Sequence, residues 1–400
     1  MRSLKKILKD EKGASVIMVA GAIVMIFGFA VLAIDLSMMQ LAKTQLQNAA
    51  DAAVLAGAMA HANEPGGQAE KEAAATAEAI RVAGLNVAVQ DIDRPVVISA
   101  EDVTFPGSET IRVTTHRKID TGDPVTLYFL KVLDPLLDNQ GEVTARAAAK
   151  IFCISGTDCL RPFCPPDRWD DRDNDSTWDP AEEFVDTSGN GVYDPGEPFT
   201  DDNGNAVWDS AEFYDPQLTG YWGSTDIGTE ITLKLRNSNK SPRMCYYYAV
   251  RFGPVGSDTI YSGGDYYREW ICPECEPFVV RIGDQLHMEP GNMVGPTGQG
   301  LECLIAMDPT AEWDGGSGTV INSAQATSPR IIKAPVFDPS LGVQVCHGVD
   351  CLTVTKIIVL FVEEHTGDDV VGRFMSLVTE GVPDPDCSAG GFMYTVSLVE

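Results

Sequence analysis

The chain has 400 residues, 44% of them hydrophobic and 22% charged, and a formal net charge of −29. That apolar content is enough for real cores, so the chain is globular, and its length predicts two or three domains. An acidic excess of this size argues against nucleic acid or anionic lipid headgroups as partners of the bulk of the chain and favours cations.

Arg2, Lys5, Lys6, Lys9 and Lys12 precede an uncharged run from Gly13 to Ile34. As a helix this run rises ~33 Å, enough to cross a hydrocarbon core, and it predicts a single-pass anchor surrounded by membrane lipid. The positive-inside bias places residues 1–12 in the cytoplasm and everything after Asp35 outside. A cleaved secretory signal, with Ala30 or Ala33 at the cleavage site, is the competing reading. Leu36 to Ala60 has no Pro and is rich in Ala, Leu, Met and Gln, so the helix is predicted to continue to about Ala60. Ala14, Gly21, Gly28, Asp35, Ala42, Ala49 and Ala56 recur at every seventh position, a small-residue stripe of the kind that lets helices pack closely in lipid. An alanine-rich helix also produces such a stripe by composition alone.

The residues Lys12-Gly13-Ala14, Ala33-Ile34-Asp35-Leu36 and the run from Gln45 through Asn48-Ala49-Ala50-Asp51-Ala52-Ala53 to Ala58 resemble the N-terminus of TadE/TadG-like Flp (Tad) pilus-assembly proteins. The resemblance implies a membrane-anchored assembly component whose partners are other pilin-like or Tad proteins, met through this helix. Type IV prepilins carry Glu five residues past the processing Gly, where this chain has Met18. TadG-like members therefore resemble it better than processed pilins do. The likeness covers residues 8–152 well and 225–375 loosely, the latter through the stretch Gly291 to Thr297.

After Glu64-Pro65-Gly66-Gly67, a second helix is predicted from Gln68 to a C-cap at Gly84. Strands are predicted over Pro95–Ala100, Thr110–Ile119 and Gly141–Phe152, with Ile111, Val113 and Thr115 on one face and Val143, Ala145, Ala147 and Ala149 on another. Asp123 as N-cap and Pro124 in the first turn predict a helix through Leu133. Residues 63–152 thus form a small pilin-like α+β module with a structural role and no charged constellation.

Three twelve-residue segments recur at a period of fifteen: Asp171–Glu182, Asp186–Glu197 and Asp201–Glu212. Each follows calcium-loop logic, in which a wrapped loop presents alternate oxygens to a hard cation. The predicted Ca2+ ligands are Asp171, Asp173, Asp175, Thr177, Asp179 and Glu182; Asp186, Ser188, Asn190, Val192, Asp194 and Glu197; and Asp201, Asn203, Asn205, Val207, Asp209 and Glu212. Thr177, Val192 and Val207 would act through their carbonyls. Only the second loop has Gly at position 6, Gly191, so the first and third are expected to bind more weakly. Three residues between loops are too few for EF-hand helices, which makes these tandem bare loops, an insertion relative to the Tad-like pattern. Aromatic residues at position 8 (Trp178, Tyr193, Trp208) and position 14 (Phe184, Phe199, Tyr214) predict a thin apolar ridge, each repeat leaning on the next. Asp158 to Asp215 holds 17 acidic and 3 basic residues, a balance of −14 that would expand the segment without cations. Affinity is expected on the order of 10⁻⁴ M, as in extracellular modules.

Residues 217–400 read as a β-rich domain, with strands at Ile231–Leu235, Cys245–Phe252, Phe278–Ile282, Arg330–Phe337 and Leu352–Val362, and one helix capped by Thr297 and ending near Ala306. All ten cysteines lie beyond residue 150, which predicts disulfides in an oxidising compartment, with the pairing left open. A redox or zinc role for Cys272 and Cys275, with Cys346, His347 and Cys351 as further ligands, is the competing reading. Asp186-Thr187-Ser188-Gly189-Asn190 lacks the final Ser and the preceding strand of a von Willebrand factor A metal site. The five histidines form no triad-like context, and no substrate site is identified. The reading is α+β in five parts: residues 1–12 cytoplasmic, 13–62 transmembrane and extended helix, 63–152 the small module, 153–216 the calcium repeats, and 217–400 the disulfide-containing domain. It predicts a non-enzymatic pilus-assembly component of the inner membrane with a periplasmic or extracellular bulk. A calcium-dependent adhesin or sensor on a Tad-like anchor is the alternative.

Overall fold

The computed structural model describes residues 11–64, 66–88, 94–128, 140–202, 204, 206–236, 241–253, 261–275, 277–384, 387 and 390–399. The chain forms two compact units, Met1–Ile151 with Val396–Glu400, and Phe152–Thr395.

In the first unit, α1 (Glu11–Asn63) is a single helix with two surroundings. Val16, Met18, Val24, Phe27 and Phe29 are exposed, whereas Asp35, Ala42, Leu46, Ala49, Ala53 and Val54 are buried. The helix changes environment where its composition does. Its outer half packs against α2 (Gln68–Ala83) and against a sheet built from β1 (Val103–Gly107), β2 (Thr110–Arg117) and, past the short pair β3 (Val125–Thr126) and β4 (Gln140–Gly141), the strand β5 (Val143–Thr157). Gly57 lies so close to α2 that a Cβ there would sit 3.0 Å from the Ala75 carbonyl oxygen. Ile111, Val113 and Thr115 face the helix, and Thr115 Oγ1 donates to the Leu46 carbonyl at 2.8 Å.

Two local expectations fail here. Pro95–Ala100 is not a ladder strand, although Val96 and Ile98 are buried as the alternation requires. Only Pro95 makes a bridge, to Val87, and a reciprocal Ser99–Asp102 capping box turns the chain into a 3-10 helix before β1. Asp123-Pro124 does not start a helix: β3 follows at once and pairs with β4, and Asp123 binds Arg94 and Arg117 instead of capping. The rest of that expected helix, residues 129–133, lies outside the described residues.

The second unit contains β6 (Phe163–Cys164), the short α3 (Gly223–Asp226), β7 (Glu230–Leu235), β8 (Tyr246–Arg251), α4 (Gly264–Ile271), β9 (Val280–Arg281), β10 (Gln285–Met288), α5 (Val294–Ala306), the hairpin β11 (Glu312–Asp314) and β12 (Thr319–Ile321), β13 (Ile331–Phe337), β14 (Gln344–Cys346), β15 (Val349–Thr366) and β16 (Asp369–Phe374). β10 pairs with β15, β15 with β16, β16 with β7, β7 with β8, and β8 again with β10. The circuit closes on itself, which removes free edges among these five strands. β15 is its spine. It also pairs with β13 from Ile331↔Phe361 to Phe337↔Val354, and its residues Val354, Ile358, Leu360 and Val362 are buried in the core.

The expected helix at Thr297 begins earlier, at Val294. Asn292 Oδ1 accepts the Val294 N–H, Pro296 falls in the first turn where its missing N–H is harmless, and Thr297 is buried within the helix. α4 was not foreseen. Cysteine pairs stand at disulfide distance at 153–387, 159–275, 272–303 and 346–351, so Cys272 and Cys275 face different partners. Two cysteines depart from the all-disulfide expectation: Cys164 is buried in the core and Cys245 is exposed, each unpaired. Thiol titration of the unreduced, denatured chain is therefore expected to find two thiols among ten cysteines. The native chain should show only Cys245.

A candidate cation site in the acidic repeats

The three repeats share one backbone course. Positions 4 and 6 are left-handed in every loop: Asn174 (φ 63) and Ser176 (φ 66), Gly189 (φ 73) and Gly191 (φ 77), Gly204 (φ 76) and Ala206 (φ 63). Ser176 and Ala206 thus adopt the turn that Gly191 makes freely, at roughly 1–2 kcal/mol each for a side chain in that region. The acid at position 1 holds the turn by accepting the position 6 N–H: Ser176 on Asp171 at 3.0 Å, Gly191 on Asp186 at 2.7 Å, and Ala206 on Asp201 at 2.9 Å.

Position 12 contains what spacing could not reveal. Glu197 closes its own loop, taking the N–H groups of Thr187 and Ser188 on one oxygen and that of Asp194 on the other. Glu212 instead closes the first loop, accepting from Arg172 and Asp179, both at 3.1 Å. Glu182 reciprocally closes the third, accepting from Asp202 and Asp209, both at 3.0 Å. Backbone bonds repeat the exchange, Glu182 N–H to the Asp209 carbonyl and Glu212 N–H to the Asp179 carbonyl. The three-residue linkers cause it. Residues 183–185 and 198–200 pair antiparallel, with Val185 N–H on the Pro198 carbonyl and Thr200 N–H on the Glu183 carbonyl. The second loop becomes a hairpin tip, and the first and third lie side by side.

The aromatic ridge forms around that hairpin. Tyr193 and Trp208 stack at 4.6 Å, and Phe184 meets both edge-on. Trp178 packs on Trp169 instead, and Tyr214 bonds Asp167 and Thr355. The succession of each repeat on the next is therefore replaced by a pairing of the outer two.

One oxygen each from Asp171, Asp173 and Asp175 lies within 4.8 Å of the others. Asp171 Oδ1 is buried without a hydrogen-bond partner. Asp173 and Asp175 also accept the Asp175 and Thr177 N–H groups, holding the carboxylates in place. Burial, then repulsion from Asp173, Asp175 and Asp171, pushes the Asp179 carboxyl up, and burial with Asp171 and Asp179 nearby does the same to Glu212. In the self-closed loop the sign reverses. Backbone N–H donors hold Asp186 and Glu197 below the usual carboxylate range. In that loop Ser188 Oγ bonds Asp186, Asn190 Oδ1 accepts the Val192 N–H, and Asn190 Nδ2 donates to Asp194. Asn203 and Asn205 lie outside the described residues, and Asp201, Val207 and Asp209 complete what is seen of the third loop.

Sequence reasoning also missed a charged cleft in the first unit, of about 630 Å³, lined by Arg94, Asp102, His116, Arg117 and Asp123. Arg117 pairs with Asp123 and donates to the Ala88 and Arg94 carbonyls, while His116 Nδ1 stands 3.4 Å from Asp102 without a hydrogen-bond partner. The expectation of no charged constellation on this module is corrected accordingly. The pairings span six positions for Arg117 with Asp123 and 29 for Arg94 with Asp123, spacings that match no single helix or strand period.

Among the described residues one helix is long and apolar enough to cross a membrane, with mean hydropathy 2.8 over its most apolar window. Of the small-residue stripe, Asp35, Ala42 and Ala49 are buried inside the first unit, while a Cβ at Gly21 would meet nothing within 4 Å. Residues 13–60 match the family described as Flp pilus-assembly, TadE/G-like. No curated protein and no solved structure matches the chain.

The exchanged closure predicts crossed effects of substitution. Glu182→Ala is expected to raise hydrogen exchange at Asp202 and Asp209 rather than in its own loop, and Glu212→Ala to do so at Arg172 and Asp179. Each substitution leaves two N–H groups without their acceptor, about 1–3 kcal/mol apiece.

Proposed function

We propose that the chain is a membrane-anchored, non-enzymatic component of Tad/Flp-type pilus assembly, closest to TadG-like members, with an outer region stiffened by calcium. The family match over residues 13–60 is the observation that supports assembly. That segment coincides with α1, whose inner half is apolar and exposed, as a lipid-facing helix must be. The basic cluster before it favours a cytoplasmic N-terminus in the inner membrane and a periplasmic or extracellular bulk. With the outer half of the stripe used internally, Gly21 and Gly28 are the small residues left for neighbouring pilin-like helices.

The donor set of the repeats fits a hard cation, and the orphaned, buried Asp171 Oδ1 is what favours one. The first site would use Asp171, Asp173, Asp175, the Thr177 carbonyl and Asp179, with Glu212 rather than Glu182. The second would use Asp186, Ser188, Asn190, the Val192 carbonyl, Asp194 and Glu197. The third would use Asp201, the Val207 carbonyl and Asp209 with Glu182. Glu212 and Glu182 each accept two N–H groups yet keep lone pairs for a metal. Bound calcium would supply the positive charge that this crowd of carboxylates lacks.

A strain lacking the protein is expected to lose surface pili, counted by negative-stain electron microscopy. One lacking only residues 171–212 reports whether the repeats matter to assembly. Normal pili in both would sink the assembly reading in favour of a calcium-dependent adhesin. Separately, millimolar calcium should protect Asp171 to Glu212 of the detergent-solubilised full chain from proteolysis, and no gain in protection would remove calcium from the proposal.

A further inference from the structure

Lys356, on β15, and Asp167, just before the first repeat, are in contact with no solvent exposure at either side chain, Nζ to Oδ2 being 2.8 Å. Nζ also donates to the Tyr221 carbonyl at 2.8 Å and stands 5.5 Å from the Trp222 ring centroid. The carboxyl is held at both ends. Oδ1 accepts two backbone N–H groups, from Tyr221 at 2.7 Å and Arg168 at 3.0 Å, and Oδ2 accepts the Tyr214 hydroxyl at 3.0 Å. Gly220 seals the pair so tightly that a Cβ there would lie 2.2 Å from Nζ and 2.3 Å from Oδ2.

We infer that Lys356 and Asp167 condense to an intramolecular isopeptide bond, cross-linking β15 to the segment that enters the acidic repeats. The chemistry needs an uncharged amine, an electrophilic carboxyl and exclusion of water. The first step is transfer of a proton across the 2.8 Å contact from Nζ to Oδ2, giving a neutral pair, and burial, which pushes the Asp167 carboxyl up and the Lys356 ammonium down, favours that direction. The nitrogen lone pair then attacks Cγ and the C–N bond forms. Negative charge develops on Oδ1, where the Tyr221 and Arg168 N–H groups already point, in the manner of an oxyanion hole. A second amine proton moves from Nζ to the adjacent Oδ2, the C–Oδ2 bond breaks, and one water leaves. Nothing is oxidised or reduced, and no co-reactant is consumed. Fixed proximity supplies the drive, since oriented intramolecular groups reach effective molarities of about 10⁵–10⁸ M. Tyr214 acts as a positioning residue. The inference depends on neither calcium nor pilus assembly.

The test is the mass of the purified full chain in detergent, denatured and with every disulfide reduced. The expected result is a chain one water lighter than its 43.1 kDa sequence mass, and a branched proteolytic peptide joining Lys356 to Asp167. Lys356→Arg, which keeps the charge, should restore the full mass. Asp167→Asn, which loses ammonia in place of water, should still give the same branched peptide. Tyr214→Phe keeps both reacting groups and should slow the appearance of the lighter species after refolding. Full sequence mass in folded protein, with Lys356 and Asp167 both recovered in linear peptides, would overturn the inference, as would a water loss mapped to any other pair. The wild-type measurement decides the matter even where a variant does not fold.

Discussion

The second unit depends on a lysine placed where its charge is expensive. Lys356 belongs to the strand that every neighbouring strand uses, and its side chain points into the interior without access to water. Its ammonium form costs several kcal/mol in lost hydration, which favours the uncharged pair, unless its partners replace what water gave. Asp167 and the Tyr221 carbonyl do so, and the Tyr214 hydroxyl completes the arrangement. Two of these partners flank the acidic repeats, Asp167 before Asp171 and Tyr214 after Glu212. One buried point on β15 therefore fixes both ends of a segment whose own charge would otherwise drive it outward.

With its ends fixed together, a chain of three equal loops returns on itself, and the middle loop becomes the turn. The outer two then lie antiparallel, each carboxylate at position 12 nearer its neighbour's amides than its own. Asp170 continues the ladder by donating to the Phe213 carbonyl, and the first loop is further held by Trp178 on the Pro242 carbonyl and Met244 on the Ser176 carbonyl. The period, the turn at Gly191 and the aromatic positions were legible from residue type, whereas the left-handed backbone at position 4 and at Ser176 and Ala206, and the departure of Trp178 and Tyr214 from the ridge, were not. The exchange of Glu182 and Glu212 was not, because all three repeats have the same internal spacing and every Glu fits its own loop equally well on paper. The short linkers held the missing signal: too brief for helices, they are the right length to pair with each other.

The long helix shows a similar limit in the first unit. Its length and its change of composition at Asp35 follow directly from the residues, because an uncharged run and a Pro-free alanine-rich run both propagate a helix. A small residue at every seventh position says only that something approaches closely. Beyond Asp35 the stripe's Ala42 and Ala49 are buried within the chain's own first unit, whereas inside the apolar run a Cβ at Gly21 would meet nothing within 4 Å.

The failed local expectations have a common cause. Asp123-Pro124 and Thr297 both match helix starts, yet a capping side chain serves a helix only when no stronger partner claims it. Asp123 neutralises Arg117, a guanidinium buried against two carbonyls, and that pairing outweighs an N-cap of about 1 kcal/mol. Thr297 is drawn into the interior and contacts the Tyr267 hydroxyl at 3.3 Å, while Asn292 stabilises the start of α5. In each case a contact outside the expected helix, six residues away for Asp123 with Arg117 and 30 for Thr297 with Tyr267, decides between conformations that local chemistry leaves nearly equal. The same competition governs the cysteines: Cys272 and Cys275 are neighbours in sequence, but the chain brings Cys303 to one and Cys159 to the other. Spacing identifies which groups are available, and burial determines which of them meet.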